Sequence, residues 1–257
     1  MIDTGIFIEE IKNHPEKVEE APFPHIYVED FFKEAYYASL CRQFEEVKSR
    51  GRAEKLSKNN LSRFPGYDAY CWIFPPKSTY PLNLFYTQEW RLYFSHLFDI
   101  PLTYDVVAEF HHHQVGSTNG FVHNDYNICC FKEDYLSNGI NPWYYQCSFD
   151  PKSIKEHDEE VQKRMRSIAI IFYLNNEPWQ KGNGGETGLY TKNETFSLVK
   201  AIPPKSNSIL AFEISPTSYH GFIENAVLER NSIIMWLHSD KDLYLARNNG
   251  AKPVAFN

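Results

Sequence analysis

From Tyr104 onward the chain is written in short β-rich runs separated by clusters of Gly, Pro, Asn and Ser, and that texture excludes a helical bundle for its C-terminal part. The runs are YDVVAEFHHH (104–113), SIAIIFYL (167–174), NSILAFEI (207–214) and NSIIMWLH (231–238), with a smaller one at TGLY (187–190). Several strands punctuated by turn residues are the pattern of a β-sandwich or barrel. Residues i and i+2 of such a strand project from one face, so every polar pair at that spacing becomes a candidate for shared chemistry.

Before Tyr104 the period changes. PFPHIYVEDFF (22–32) holds a short strand-like run, after which Phe32, Tyr36, Leu40 and Phe44 recur at helical spacing, with Asp30 as the expected N-cap. A second helix is expected after Thr87, carrying Trp90, Phe94 and Leu97 on one face and stopping before Pro101. The polar, basic stretch 48–66 has no period and reads as a surface loop. One domain is expected over 1–257, with a mainly helical flank at 1–103 and a β core at 104–245. Residues 131–166 interrupt that core as a long insertion whose charged second half is helix-prone, starting near Asp150 and Pro151. A connection of that length usually covers a binding site.

Composition narrows the partners. Lys and Arg number 26 against 33 Asp and Glu, a net charge of −7, and no basic run could neutralise a row of phosphates, so nucleic acid is not an expected partner. Cys41, Cys71, Cys129, Cys130 and Cys147 are odd in number and lack paired CxxC spacing, which fits neither a disulfide framework nor a structural zinc site and points to a reducing, cytoplasmic setting. No apolar run approaches the ~20 residues of a membrane helix, and the N-terminus has no signal pattern. The aromatic content of 16% suits either strands packed with rings or a ligand pocket.

The chemistry concentrates at Phe121-Val122-His123-Asn124-Asp125, where an imidazole and a carboxylate two apart can reach one ion. Alone, HxD is weak; a distant His220 gives it meaning, lying just after the strand NSILAFEI and its turn, with Arg230 ten residues further on. Two neutral imidazoles and one carboxylate on one face of an ion leave adjacent coordination positions open, the facial triad of non-haem iron(II) oxygenases. A guanidinium supplies two parallel donors for an anionic ligand better than an ammonium does, the alternative for Arg230 being a surface ion pair with Glu229 or Glu224.

Four ordered pieces, FHHHQVGSTNGFVHND, AIIFYLNNEPWQKGNGGETGLY, PPKSNSILAF and HGFIENAVLERNSIIMW, resemble the iron(II) and 2-oxoglutarate dependent dioxygenases, in particular the prolyl-hydroxylase-like branch. The resemblance covers roughly residues 104–240. It implies a double-stranded β-helix (jelly-roll) core, iron(II) bound by His123, Asp125 and His220, and 2-oxoglutarate anchored by Arg230 with help from Ser232. Dioxygen would be the further cosubstrate. Two departures stand out: the insertion lengthens the interval between the two His ligands, and His113 occupies a position where many relatives carry a tyrosine that binds 2-oxoglutarate.

Glu109, His111 and His113 share one strand face, and His111 and His113 are candidate pocket residues, as are Glu186 and Thr187 in GGETGLY, whose paired glycines suit a tight turn or a close backbone approach. Trp236 is expected either to pack in the core, the favoured reading, or to wall the site. The function expected from these readings is hydroxylation of a C–H bond in a small polar molecule, foremost a free amino acid or derivative, with release of succinate and CO2. Hydroxylation of a residue within a peptide or protein is the alternative, followed by a cupin-like metal-binding protein without catalysis.

Overall fold

A computed structural model describes residues 8–55, 57–64, 67–75, 78–132 and 161–254. The first run forms strand β1 (His25–Val28), and the helical period that follows forms α1 (Glu34–Ser49), with Tyr36, Leu40, Phe44 and Val47 buried. Asp30 does not cap that helix. It sits at φ 51°, a left-handed turn that Asp tolerates, and the chain first buries Phe31 and Phe32 completely before the helix begins after Lys33. Stretch 48–66 is likewise more ordered than a loop: it carries β2 (Arg52–Ala53) and β3 (Leu61–Arg63), short strands at the sheet margin, leading to β4 (Tyr70–Ile73). Helix α2 (Gln88–Phe98) starts where expected, the Thr87 hydroxyl accepting from the Trp90 backbone N–H at 3.2 Å.

The β core follows as β5 (Val106–His113), β6 (Ile128–Lys132), β7 (Val161–Tyr173), β8 (Thr187–Lys192), β9 (Phe196–Ile202), β10 (Ser208–Glu213), β11 (Tyr219–Phe222) and β12 (Arg230–Asp240), closed by helix α3 (Lys241–Arg247). The helix expected near Asp150 and Pro151, and the covering role given to the insertion, lie outside the described residues. Residues 161–166, read as helix-prone, belong to β7, where Val161–Met165 pairs with β6. Their charges are reconciled with a sheet by acidic neighbours: Arg164 Nε donates to Asp105 at 2.7 Å and Arg166 to Asp125 at 2.8 Å.

A large sheet in the order β1-β10-β7-β12-β5-β4-β3-β2, with β6 also on β7, faces a small sheet ordered β11-β8-β9, the two-sheet arrangement of a double-stranded β-helix. Every pairing is antiparallel except β2 with β3. Both faces of the central strands are covered, which is why they read as continuous runs without clean alternation. On β5, Ala108 and Phe110 join the core, Phe110 meeting Phe44 of α1 edge to face at 5.2 Å, while Glu109 and His111 line a cavity between the sheets. On β12, Ile233, Met235 and Leu237 are buried in that core, and Arg230, Ile234 and Trp236 line the cavity.

Asn207 fastens the N-terminal flank to this frame. Its side chain accepts from the Phe32 N–H at 3.0 Å and donates to the Phe32 C=O at 2.9 Å, while its own backbone sits at φ 58°. Asn207→Ala should therefore cost about 3 kcal/mol, combining two buried backbone groups left unpaired with a Cβ in the left-handed region. Asn207→Gly should cost about 1 kcal/mol less, because only the hydrogen bonds are lost. Urea unfolding of the two variants checks this, and equal losses would mean that the backbone conformation contributes nothing.

Candidate active site

The expected HxD segment does not join a long strand; it lies against β11 as a single bridge, with His123 N–H donating to His220 C=O at 2.9 Å and His220 N–H to His123 C=O at 2.8 Å. Reciprocal backbone bonding brings two residues 97 positions apart side by side, their ring centroids 4.4 Å apart. Gly221 permits the approach, since a Cβ there would come within 3.2 Å of the Phe121 carbonyl oxygen. Ligand atoms of His123, Asp125 and His220 all lie within 4.8 Å of one another.

Each group is held in an orientation a metal can use. Nδ1 of His123 lies 2.9 Å from the Phe121 carbonyl and Nδ1 of His220 lies 3.1 Å from the Ser218 carbonyl, so each Nδ1–H donates and Nε2 is left as the ring's ligand atom. Burial, with His123 beside it, pushes the His220 imidazole down to about 4, which keeps it neutral. Burial alone would raise Asp125, yet Arg166, His123 and His220 override it and hold the carboxyl at about 2. Arg166 donates to Asp125 Oδ1 at 2.8 Å and the Trp236 indole N–H to Oδ2 at 2.7 Å. A carboxylate has about four lone-pair sites, so both bonds leave room for an ion. The guanidinium of Arg166 also lies over the Trp236 ring at 4.2 Å.

These groups line one cavity of about 200 Å³ between the sheets. Arg230 enters it from the start of β12. It is 3% exposed, donates to Thr187 Oγ1 at 3.1 Å, and forms no ion pair among the described residues. Glu229, the alternative partner, pairs with Lys48 instead. Tyr173 bonds to the same Thr187 hydroxyl at 2.7 Å and lies under the Arg230 guanidinium at 5.2 Å. The buried Arg230 Nε and Ser232 Oγ have no hydrogen-bond partner among the described residues. A buried cation with unmet donors and no acid beside it fits an anionic ligand, and two imidazoles with a carboxylate fit iron(II).

The softer candidates divide. His111 lines the cavity, its Nε2 2.6 Å from Glu109 Oε1. His113 is drawn away: its ring stacks on Phe222 at 3.9 Å and its Nδ1 meets the Asp68 carbonyl at 3.0 Å. Burial and the nearby Arg230 hold it well below its ordinary value, hence neutral. Thr187 is buried against Arg230, whereas Glu186 does not line the cavity. The glycines serve both expected purposes, Gly184 having φ 77° and a Cβ position 1.9 Å from the Glu224 carbonyl oxygen.

Arg166 in the cavity wall and Tyr173 beneath Arg230 escaped the sequence reading, and the role of Trp236 was only partly legible. Trp236 takes the less favoured of its two expected places, the wall of the site, and only its position opposite Asp125 reveals a donor. Tyr173 sits on the same face of β7 as Ala169 and Ile171, a period that was available. Arg166 was not legible, because β7 carries a bulge: Leu237 pairs with Ile168 and His238 with Arg166, leaving Ser167 unpaired. Strict alternation would send Arg166 away from the cavity with Ile168; the extra residue turns it in.

Residues 144–238 match the family model of the 2OG-Fe(II) oxygenase superfamily. Among curated proteins, the chain is 37% identical over 89 residues to prolyl 3-hydroxylase OGFOD1 of Xenopus laevis and 34% identical over 87 residues to that of Mus musculus. Each alignment covers 32% of this chain and only 16% or 15% of the relative. Among solved structures, a Pseudomonas putida prolyl-4-hydroxylase superposes with TM-score 0.55 at 14% identity, covering 85% of this chain and 94% of that one. A Trichoplax adhaerens prolyl hydroxylase, solved in complex with a hypoxia inducible factor peptide fragment, gives 0.51 at 12% identity and 86% of both chains. These findings overturn the expected small-molecule partner, since the curated relatives are prolyl hydroxylases and the Trichoplax enzyme holds a peptide. No helix among the described residues is long and apolar enough to cross a membrane. Over residues 144–238 the chain is thus similar to the 2OG-Fe(II) oxygenase superfamily, over the curated alignments it is similar to prolyl 3-hydroxylases, and it shares the double-stranded β-helix fold of solved prolyl hydroxylases.

Proposed function

We propose that this chain hydroxylates an amino-acid residue within a peptide or protein, using iron(II), 2-oxoglutarate and dioxygen and releasing succinate and CO2. The observation that carries the reading is the joint presence, in one cavity, of a buried His-Asp-His cluster and a buried arginine with no acidic partner among the described residues. His123, Asp125 and His220 would hold the iron, and Arg230 would take a carboxylate of 2-oxoglutarate with Ser232 and Thr187 beside it. The bound metal and cosubstrate supply the oxidising chemistry for a C–H bond.

The protein's own residues orient and protect. Arg166 and Trp236 fix the Asp125 carboxylate so that neither oxygen can swing out of the site. Phe64, Tyr67 and Phe121 line the same cavity as the cluster, and Phe121 remains 55% exposed. An aromatic approach of this kind suits an apolar ring or backbone segment better than a free zwitterion, whose two charges would be desolvated there without partners. It supports the peptide reading over the small-molecule one.

His123→Ala, Asp125→Ala and His220→Ala should each abolish peptide-dependent succinate release while the protein stays folded, because the three ligands act as one unit. Arg230→Ala should raise the KM for 2-oxoglutarate by an amount equivalent to about 2–5 kcal/mol with little change in iron affinity. Mass spectrometry of proline-containing peptides is the direct assay. Retained activity in a triad variant, or a carboxylate-independent turnover, would overturn the reading.

The support of Asp125 is testable without metal. Arg166→Leu leaves the buried Asp125 carboxylate without its cation, held only by the Trp236 indole, and should destabilise the protein by about 3–5 kcal/mol near neutral pH. The native carboxyl is depressed to about 2, so its ion-pair stabilisation is present above the unfolded carboxyl range and lost as pH falls through about 2. The gap between wild type and Arg166→Leu, measured by urea unfolding at descending pH, should therefore narrow in acid. A constant gap would mean that Arg166 acts by packing alone.

A further inference from the structure

Across residues 48–63 the chain carries six basic side chains, Lys48, Arg50, Arg52, Lys55, Lys58 and Arg63, against one acid, Glu54, in a protein whose net charge is −7. The oxygenase reading uses none of them. A basic run is ordinarily a solvated face whose charges are met by nearby acids, and two of these fit that description, Lys48 pairing with Glu229 and Arg50 with Glu46. Arg52 and Arg63 are placed differently. Both guanidiniums lie over the ring of Tyr70, 5.3 and 5.7 Å from its centroid, and Tyr70 is only 7% exposed. Arg52 has no ion pair among the described residues, and Arg63 reaches only Asp68, at 3.4 Å. Two like charges gathered around one ring repel each other, and an anion beside them relieves this.

The place of this pair links it to the cavity. Arg63 ends β3 and Phe64 follows it; side chains alternate there, so Phe64 turns into the cavity while Arg63 stands exposed on the other side. Asp68, the acid that Arg63 touches, also accepts from the Thr118 N–H at 3.0 Å. Beside it the Tyr67 ring meets that of Phe121 edge to face at 6.3 Å. The hairpin of β3 and β4 is thereby fastened to the segment that leads into His123, forming a rim that is aromatic on its inner side and basic on its outer side. A peptide that enters past Phe64 crosses this rim. An extended chain advances ~3.3 Å per residue, so side chains a few positions from the target residue come level with Arg63 and Arg52.

We propose that Arg52 and Arg63 form a docking patch for acidic side chains that flank the modified residue of a peptide or protein substrate. The inference rests on the peptide-hydroxylase reading and adds to it the charge of the sequence around the target. A guanidinium takes a carboxylate through two parallel hydrogen bonds, and neither arginine is buried, so each contact is modest and sensitive to salt. Separate carboxylates suit the patch better than a nucleic acid does. Lys48 and Arg50 are already paired, and Glu54, Asp68 and Glu229 act on the same arginines, which opposes a continuous row of phosphates.

The test is fluorescence anisotropy of labelled peptides on the full chain loaded with manganese(II) and 2-oxoglutarate, so that nothing turns over. Three proline-containing peptides of equal length differ only in their flanking residues, which are glutamate, glutamine or lysine. At low salt the glutamate peptide should bind about tenfold more tightly than the glutamine peptide, and the lysine peptide most weakly; the advantage should disappear at high salt, as expected of a few exposed ion pairs. Arg52→Glu combined with Arg63→Glu should reverse the order, and the milder Arg52→Gln with Arg63→Gln should bind all three alike. Calorimetry should show 2-oxoglutarate affinity unchanged in both double variants, since neither residue lines the cavity. Equal binding of the three peptides by the wild type, no binding of any, or a glutamate preference that survives both double variants overturns the proposal. A uridine oligonucleotide that binds the wild type more tightly than the glutamate peptide, and loses that binding in the variants, overturns it in favour of nucleic acid. These outcomes leave the oxygenase reading standing; a wild type that binds manganese but no 2-oxoglutarate overturns that reading and, with it, this one.

Discussion

The antiparallel register of β12 between β5 and β7 is the constraint on which the cavity depends. It sets Ser232 against His111 on one side and Tyr173 on the other, and Ile234 against Glu109 and Ile171. Because side chains alternate with a period of two, a slip of one residue would turn Arg230, Ser232, Ile234 and Trp236 into the hydrophobic layer under the helices and bring Ile233, Met235 and Leu237 into the cavity. Burying a lone guanidinium among Phe110, Phe172 and Met235 is prohibitive, so the register that fills the core is also the one that builds the site.

Charge inside that cavity is arranged with little redundancy. Asp125 is balanced by Arg166, and Glu109 is tied to His111, whereas Arg230 is left without an acid among the described residues. The cluster of His123, Asp125 and His220 lies beyond it in the same space. A chain that keeps one cation uncompensated in its interior forgoes stability there, and a bound anion recovers it. Aromatic side chains close the remaining walls, which strengthens the electrostatic contacts within by excluding water.

Much of this was readable from residues alone, and what was not has definite causes. The strands and both N-terminal helices follow period and punctuation, and HxD, His220 and Arg230 stand out because turns bracket them. Asp30 failed as a cap because two consecutive phenylalanines needed burial before the helix could begin. His113 failed as a pocket group because Phe222, a residue remote in sequence, offers it a stacking partner. Arg166 was hidden by a bulge at Ser167, and the role of Trp236 exists only through a contact between β12 and the loop that carries Asp125. Period locates faces; it does not reveal where a strand gains a residue or which distant ring lies opposite.

The claim that the His-Asp-His cluster and Arg230 form one functional unit is tested most directly by visible absorption of the anaerobic protein mixed with iron(II) and 2-oxoglutarate. A facial triad that leaves room for two oxygens of the cosubstrate should give a metal-to-ligand charge-transfer band in wild type. The band should vanish in His220→Ala, and in Arg230→Ala it should require far more 2-oxoglutarate. A wild-type protein that binds iron(II) yet shows no such band at saturating 2-oxoglutarate would contradict the account.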